Sequence, residues 1–264
     1  MANENLSTSR TLKTVKTASE IIDELVEMDG VGVTELADSL ELSKSTVHAY
    51  LKTLQQQGLV IKEDGKYLLS HQFILLGEYV RSDSLLYQAG RTEATDLAED
   101  IGHYAHLVVE ENGRGISIYQ AKGQKAADYG YQAVKLQQPD PLHVTASGKA
   151  ILAHLSHGQI QKIIGQHGLE KRTKNTITDP TTLLERVELI CERGFAYNDE
   201  EEVEGFRAVA APIRMADGTV LGSISVSGPT SYLDDTTFRE TLPEQVMNTA
   251  KIIEVNINMM EKQD

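Results

Sequence analysis

LADSLELSKSTVHAYLKTLQQQGLV, Leu36 to Val60, reads as two short helices joined by a tight turn. Leu36, Ala37 and Leu40 give the first an inward stripe, and Glu41-Leu42 form the turn. Ser43 stands where an N-cap belongs, because its hydroxyl can accept from an exposed backbone N–H of the next turn. From Lys44 to Gln57 the apolar positions Val47, Tyr50 or Leu51, and Leu54 recur at helical spacing, which gives one buried face. Gly58 ends the helix, since a left-handed backbone costs glycine least. The opposite face carries Ser43, Lys44, Ser45, Thr46, His48 and Lys52, with no carboxylate between Ser43 and Gln57.

That gap matters in a chain of 264 residues whose formal net charge is −14. A donor-rich second helix is the surface that a helix-turn-helix presents to base edges and phosphates in the major groove. An ordinary solvated helix shows the same periodicity, so the residues that follow decide between the two. Leu59-Val60-Ile61-Lys62 is β-prone, Glu63-Asp64-Gly65-Lys66 is a turn centred on Asp-Gly, and Tyr67-Leu68-Leu69 returns. Asp-Gly between apolar runs signals a hairpin. Helix, turn, helix and hairpin together predict a winged helix-turn-helix, with Lys62 and Lys66 beside a phosphate backbone. Upstream, Arg10, Lys13 and Lys16 form a basic arm. A first helix is predicted from about Val15 to Met28, and the next begins at Thr34, which has N-cap chemistry.

The length suits two domains. Residues 10–70 are expected to bind DNA, 71–90 to form a linker helix, and 91–264 to fold as an α+β domain. Cys191 is the single cysteine, which excludes an intramolecular disulfide and a four-cysteine zinc site and suits a reducing cytoplasm. The N-terminus lacks the apolar core of a signal peptide, and no run reaches the length of a membrane span. The acidity argues against a protein coated in nucleic acid but leaves room for a local basic patch, and it also suits a salt-rich cytoplasm.

Beyond residue 71 an apolar helical pattern runs through Phe73, Leu76, Tyr79 and Val80, breaks at Ser82-Asp83-Ser84, and resumes from Leu85 to Ile101. A hairpin is predicted from His106–Glu111 and Ile116–Ala121 around Asn112-Gly113. Helices are expected near 147–155, 157–167 and 181–194, the last capped by Asp179 or Thr181. Strands at Ala208–Ile213 and Val220–Ser227 turn at Asp217-Gly218, and a helix covers Thr237 to Met260. Hairpins mixed with helices make an antiparallel-sheet α+β domain.

Three segments in this half, LHVTASGKAILAHL at Leu142–Leu155, GFAYNDEEEVEGFRAVAAPI at Gly194–Ile213 and GSISVSGP at Gly222–Pro229, follow the winged module and linker helix in order. From about Thr14 to Met259 the chain resembles the IclR family of transcriptional regulators. The resemblance implies a GAF-like effector domain, small-molecule control of operator binding, and a homodimer or dimer of dimers. It implies no cofactor. Carried over by position, the effector site comprises Ala146, Ser147, Asn198, Phe206, Ala208, Ser225 and Ser227. Hydroxyls and backbone donors there suit a small organic acid. Relatives that bind tiny keto acids have Asp and Cys where Asn198 and Ala208 stand, which points to another ligand, such as a sugar acid or an aromatic acid. Many relatives also carry Arg or Lys at the position of Ala49, so one expected DNA contact is missing.

Other chemistries fit less well. Ser147-Gly148-Lys149 lacks the earlier glycine of a phosphate loop, because His143 stands there. Asp199, Glu200, Glu201, Glu202 and Glu204 match no metal loop and read as a solvated turn. His103 and His106 fall on opposite faces of a strand, and no metal site is expected. Cys191 reads as a small core residue. The alternative function is a small-acid-processing enzyme or binding protein whose N-terminal module docks a protein.

Overall fold

The computed structural model describes residues 11–28, 30–126 and 138–262. The chain divides between Val80 and Arg81 into two units, each with its own core. The first unit contains α1 (Lys13–Glu27), α2 (Val33–Ser39), α3 (Lys44–Gln56), β1 (Val60–Glu63) and β2 (Lys66–Leu69). Ile21 and Leu25 of α1, Leu36 and Ala37 of α2, and Val47, Leu51 and Leu54 of α3 meet Val60 and Tyr67 in its core. Leu51 takes the buried position, and Tyr50 lies half-buried beside it. Burying three such side chains holds α3 in place, at roughly 1.5–3 kcal/mol each.

Local rules set most of these boundaries. Ser43 caps α3 by accepting from the Thr46 N–H at 3.1 Å. Asp64 and Gly65, with φ of 47° and 84°, turn β1 into β2. Both central residues are left-handed, as a tight hairpin requires. The start of α2 differs from expectation. Gly32, not Thr34, is its N-cap, and the Gly32 N–H donates to Glu35 Oε2 at 3.1 Å. The carboxylate reaching back from within the helix satisfies the N–H of the cap residue, the half of a capping box that a glycine cap can keep. Val31 also pairs with Tyr67 and extends the wing by one bridge.

α4 (Gln72–Asp83) leads to α5 (Leu85–Ile101), with Ser84 capping the second helix through the Tyr87 N–H at 3.4 Å. The second unit is built on a six-stranded antiparallel sheet of β3 (Tyr104–Glu111), β4 (Arg114–Lys122), β5 (Asp140–Pro141), β6 (Ala196–Asp199), β7 (Phe206–Arg214) and β8 (Val220–Pro229). The strands lie in the order β5-β4-β3-β8-β7-β6. β5 and β6, too short to show a period, were not foreseen. One face packs Ala105, Leu107, Val209, Ala211, Ile224 and Val226 against α5 and against α9 (Leu242–Met260), which a π-helical turn at Thr237–Thr241 precedes.

The other face is covered by α6 (Ala146–Leu152), while α7 (His157–His167) and α8 (Pro180–Arg193) complete its apolar cluster. α6 starts at Ala146, capped by the Thr145 hydroxyl, which accepts from the Gly148 N–H at 2.9 Å. A Cβ on Gly148 would fall 2.3 Å from the Leu142 carbonyl oxygen, so this glycine serves close packing. Asp179 caps α8 with Pro180 in its first turn. The buried stripe of α8 is Leu183, Val187 and Ile190, and Cys191, one residue past it, is exposed rather than in the core. Among the described residues no helix is long and apolar enough to cross a membrane.

Candidate functional site

On α3, Ser43, Lys44, Ser45, His48 and Lys52 are exposed on one side and Thr46 is half-buried. Thr46 is tied to the cap, its hydroxyl 2.8 Å from Ser43 Oγ. Lys62 and Lys66 are exposed on the wing strands, with Lys62 Nζ 4.9 Å from the centre of the Tyr67 ring. Lys13 and Lys16 lie in the first turn of α1, where Lys16 pairs with Glu20 at 3.6 Å. Arg10 lies outside the described residues. The donors therefore lie along the exposed side of α3 and on the wing strands. Both stand clear of their own core.

In the second unit the sheet register brings distant residues into rows. Asn198 pairs with Ala208, Ala208 with Ser227, and Ser227 with Tyr104. In the next row Ala196 pairs with Ala210, Ala210 with Ser225, and Ser225 with His106. Cross-strand partners share a face, and this is the face that α6 covers. Ser147, Asn198, Ser225 and Ser227 are all buried there, and Ala146 and Ala208 join one apolar cluster. Phe206, at the start of β7, is half-buried.

In sequence His106 stands out only as a candidate metal ligand. It is 3% exposed, and its Nε2 shares a 3.2 Å hydrogen bond with Ser227 Oγ. The residue signal for it was the alternation of β3, which becomes informative only once the β3–β8 pairing is known. His103 precedes β3 and packs against Tyr232, with ring centroids 5.5 Å apart. Among the described residues no three His, Cys, Asp or Glu side chains cluster as metal ligands would.

The acidic run is a turn, with Glu204 exposed, but it is not solvated throughout. Lys149 on α6 is completely buried and forms an ion pair with Glu201, which is itself buried. Burial pulls the Lys149 pKa below its ordinary 10.5, and the charge of Glu201 opposes that. Asn198 Oδ1 accepts the Glu201 N–H at 2.8 Å, and Asn198 Nδ2 donates to Glu202 Oε2 at 3.2 Å. The hydroxyls of Thr173 and Thr176 donate to the carbonyls of Glu200 and Glu201, each at 2.7 Å. Asp199 accepts from Arg207 at 2.7 Å and from Arg239 at 3.0 Å. The reason is packing. The small residues of α6 press it against the sheet, Lys149 has no route to solvent, and a buried ammonium needs a carboxylate. Asn198 thus holds the loop that closes one side of the face.

Three other histidines have pKa values below the ordinary 6.5. Burial is the main cause at each of His103, His143 and His154, with Lys125 adding to it at His103. At His143 a 3.0 Å hydrogen bond to the Glu170 carbonyl works the other way. An open groove of about 480 Å³ between the β3–β4 turn and α7 is lined by Glu110, Gln159, Lys162 and His167 among others, and it includes none of the expected effector residues.

Comparison with known proteins agrees with both halves. Residues 15–64 match the IclR helix-turn-helix domain, and residues 79–255 match the model described as bacterial transcriptional regulator IclR C-terminal. The chain is 37% identical over 249 residues to a probable HTH-type transcriptional regulator, ArcR, of Halobacterium salinarum, an alignment covering 94% of this chain and 95% of that protein. It is similar in fold to the Thermotoga maritima IclR crystal structure, with a TM-score of 0.73 at 26% identity over 94% of this chain and 99% of that one. The Alicyclobacillus acidocaldarius regulator gives 0.79 at 23% identity, covering 94% and 100%. The chain is a helix-turn-helix protein with an antiparallel-sheet second domain, and the enzyme alternative is set aside. It belongs to the IclR family of transcriptional regulators.

Proposed function

We propose that this regulator binds operator DNA through α3 and the β1–β2 wing, and that a small organic or sugar acid on the α6-covered sheet face changes that binding. The register across β6, β7, β8 and β3 carries the effector half of this reading. It gathers Ser225, Ser227, Ala208 and Asn198 from separate segments onto one buried face, with Ser147 of α6 on the same side. The hydroxyls supply donors that a buried carboxylate requires. Ala146 and Phe206 shape the edges, and Asn198 acts through the loop that it anchors.

The working assembly in this proposal is a homodimer or a pair of dimers. Ile74, Leu75, Leu76, Tyr79 and Val80 are exposed on α4, an apolar surface suited to a second copy. An effector acts only through differential affinity for two states of the protein. The test is a gel shift on the DNA upstream of the chain's own gene, titrated with organic and sugar acids. Ser225→Ala with Ser227→Ala should leave DNA binding without ligand unchanged and move the ligand midpoint upward by about tenfold or more, since each hydrogen bond contributes on the order of 1 kcal/mol. An unchanged midpoint would place the effector elsewhere.

A further inference from the structure

We propose that Ala49 reads a thymine in the operator, by packing its side-chain methyl against the thymine C5 methyl in the major groove. The inference rests on α3 entering that groove, as the function proposed above has it. Val47, Leu51 and Leu54 fix which side of α3 is buried. At about 3.6 residues per turn, the line directly opposite runs through Ser45, Ala49, Lys52 and Gln56, and all four are exposed. Lys44 and His48 lie to one flank of that line, Thr46 and Thr53 to the other. The centre of the face turned away from the core is therefore a methyl group, in the middle of a helix surface otherwise made of polar side chains.

Several hydroxyls around it are already committed. Ser43 Oγ lies 2.9 Å from Ser45 Oγ and 2.8 Å from Thr46 Oγ1, and it also accepts the Thr46 N–H. Ser43 has one proton to give, so at least one of those two neighbours spends its own on Ser43. The Thr53 hydroxyl donates to the Ala49 carbonyl at 2.9 Å. The uncommitted donors nearest Ala49 are those of His48 and Lys52, both toward the same flank. Size points the same way. Ser45 and Ala49 are small and Lys52 and Gln56 are long, so the N-terminal half of α3 can come closer to the groove floor, which is how a recognition helix docks. An apolar group brought to the base edges finds its match in thymine, the one DNA base that shows a methyl in the major groove.

The test starts from a pool of random duplexes, from which the full chain selects its consensus. Each thymine of that consensus is then replaced singly by deoxyuridine, which removes the C5 methyl and nothing else, and affinity is read by fluorescence anisotropy at fixed salt. Wild type should weaken about three- to fivefold at one position of a half-site, the effect of burying one methyl. Ala49→Gly should bind the thymine and deoxyuridine duplexes alike at that position. The comparison is made within each protein, so a general loss of affinity or of helix stability in Ala49→Gly cancels. Ala49→Gln keeps a good helix former and should change the selected base at that position while leaving the others. No deoxyuridine-sensitive thymine, equal sensitivity in Ala49→Gly, or an unaltered consensus from Ala49→Gln overturns the proposal. Lys44→Glu with Lys52→Glu separates the two levels. If that variant binds the consensus as wild type does, or the pool yields no consensus, α3 is not in the groove and the proposal falls with it. If that variant loses binding while the Ala49 results are negative, only the role of Ala49 is wrong.

Discussion

Lys149 is the side chain whose replacement should be felt most. Removing one member of a buried ion pair leaves the other charge in a dry interior, at a cost of about 3–5 kcal/mol. Lys149→Met and Glu201→Leu should each lower the urea midpoint of the second unit strongly, and the double variant should recover much of the loss. Additive effects in that cycle would show that the two do not depend on each other. The histidines set a pH dependence. With folded pKa values below 6.5, His103, His143 and His154 bind fewer protons in the native state than in the unfolded chain. Their contribution is fully present above pH 6.5 and is lost as pH falls through that window toward the folded values, so acid favours unfolding. The melting temperature should drop from pH 7.5 to 5.5, less steeply in His143→Gln, and a flat profile would contradict the burial of these rings. At this scale the sequence was readable where partners are near neighbours. Ser43 and the Thr46 N–H it caps, or Asp64 and Gly65, lie within a few positions of each other. Lys149 and Glu201, or His106 and Ser227, do not, and nothing local in either member indicates the other.

Among elements, α3 carries the clearest expectation. Lys44→Glu with Lys52→Glu puts like charge against phosphate and abolishes counterion release at two contacts, so operator affinity should fall by orders of magnitude at fixed salt. Both side chains are exposed, and the circular dichroism melt should stay close to wild type. Wild-type affinity in that variant would remove α3 from the groove. For α4, Leu75→Glu with Val80→Glu should turn a dimer into a monomer by light scattering at micromolar concentration. A monomeric wild type would show that the apolar surface of α4 serves something else. Helices were legible where a signal marks both ends. α7 spans His157–His167 as expected, because Ser156 and Gln159 form a capping box and Gly168 follows. β6 was lost inside a run of Asn, Asp and Glu, and it becomes a strand only because β7 offers it a partner. The start of α2 lies two residues before Thr34, at a glycine whose N–H is taken by Glu35, and a glycine cap carries no side-chain signal.

For the whole molecule, the two-unit order and the family were legible from motifs quoted in sequence, but the strand order was not. A pairing of the second strand pair's first member with the last strand of the domain leaves no periodic trace. The hydrogen bond between His106 and Ser227 joins residues 121 positions apart. The first unit, in contrast, closes within the residues up to Val80. Contacts far apart in sequence carry the entropy of a large loop and form late. During synthesis the winged module can fold as soon as it leaves the ribosome. The sheet has no centre until β8 has emerged, because β3 has to wait for a neighbour made more than a hundred codons later. A nascent or prematurely ended chain therefore has the helix-turn-helix unit without the second unit, to which the proposed function gives the response to a ligand. Translation passes through an interval in which a DNA-binding fold exists with nothing attached to control it, and that interval lasts as long as the ribosome takes to travel from the wing to the final strand.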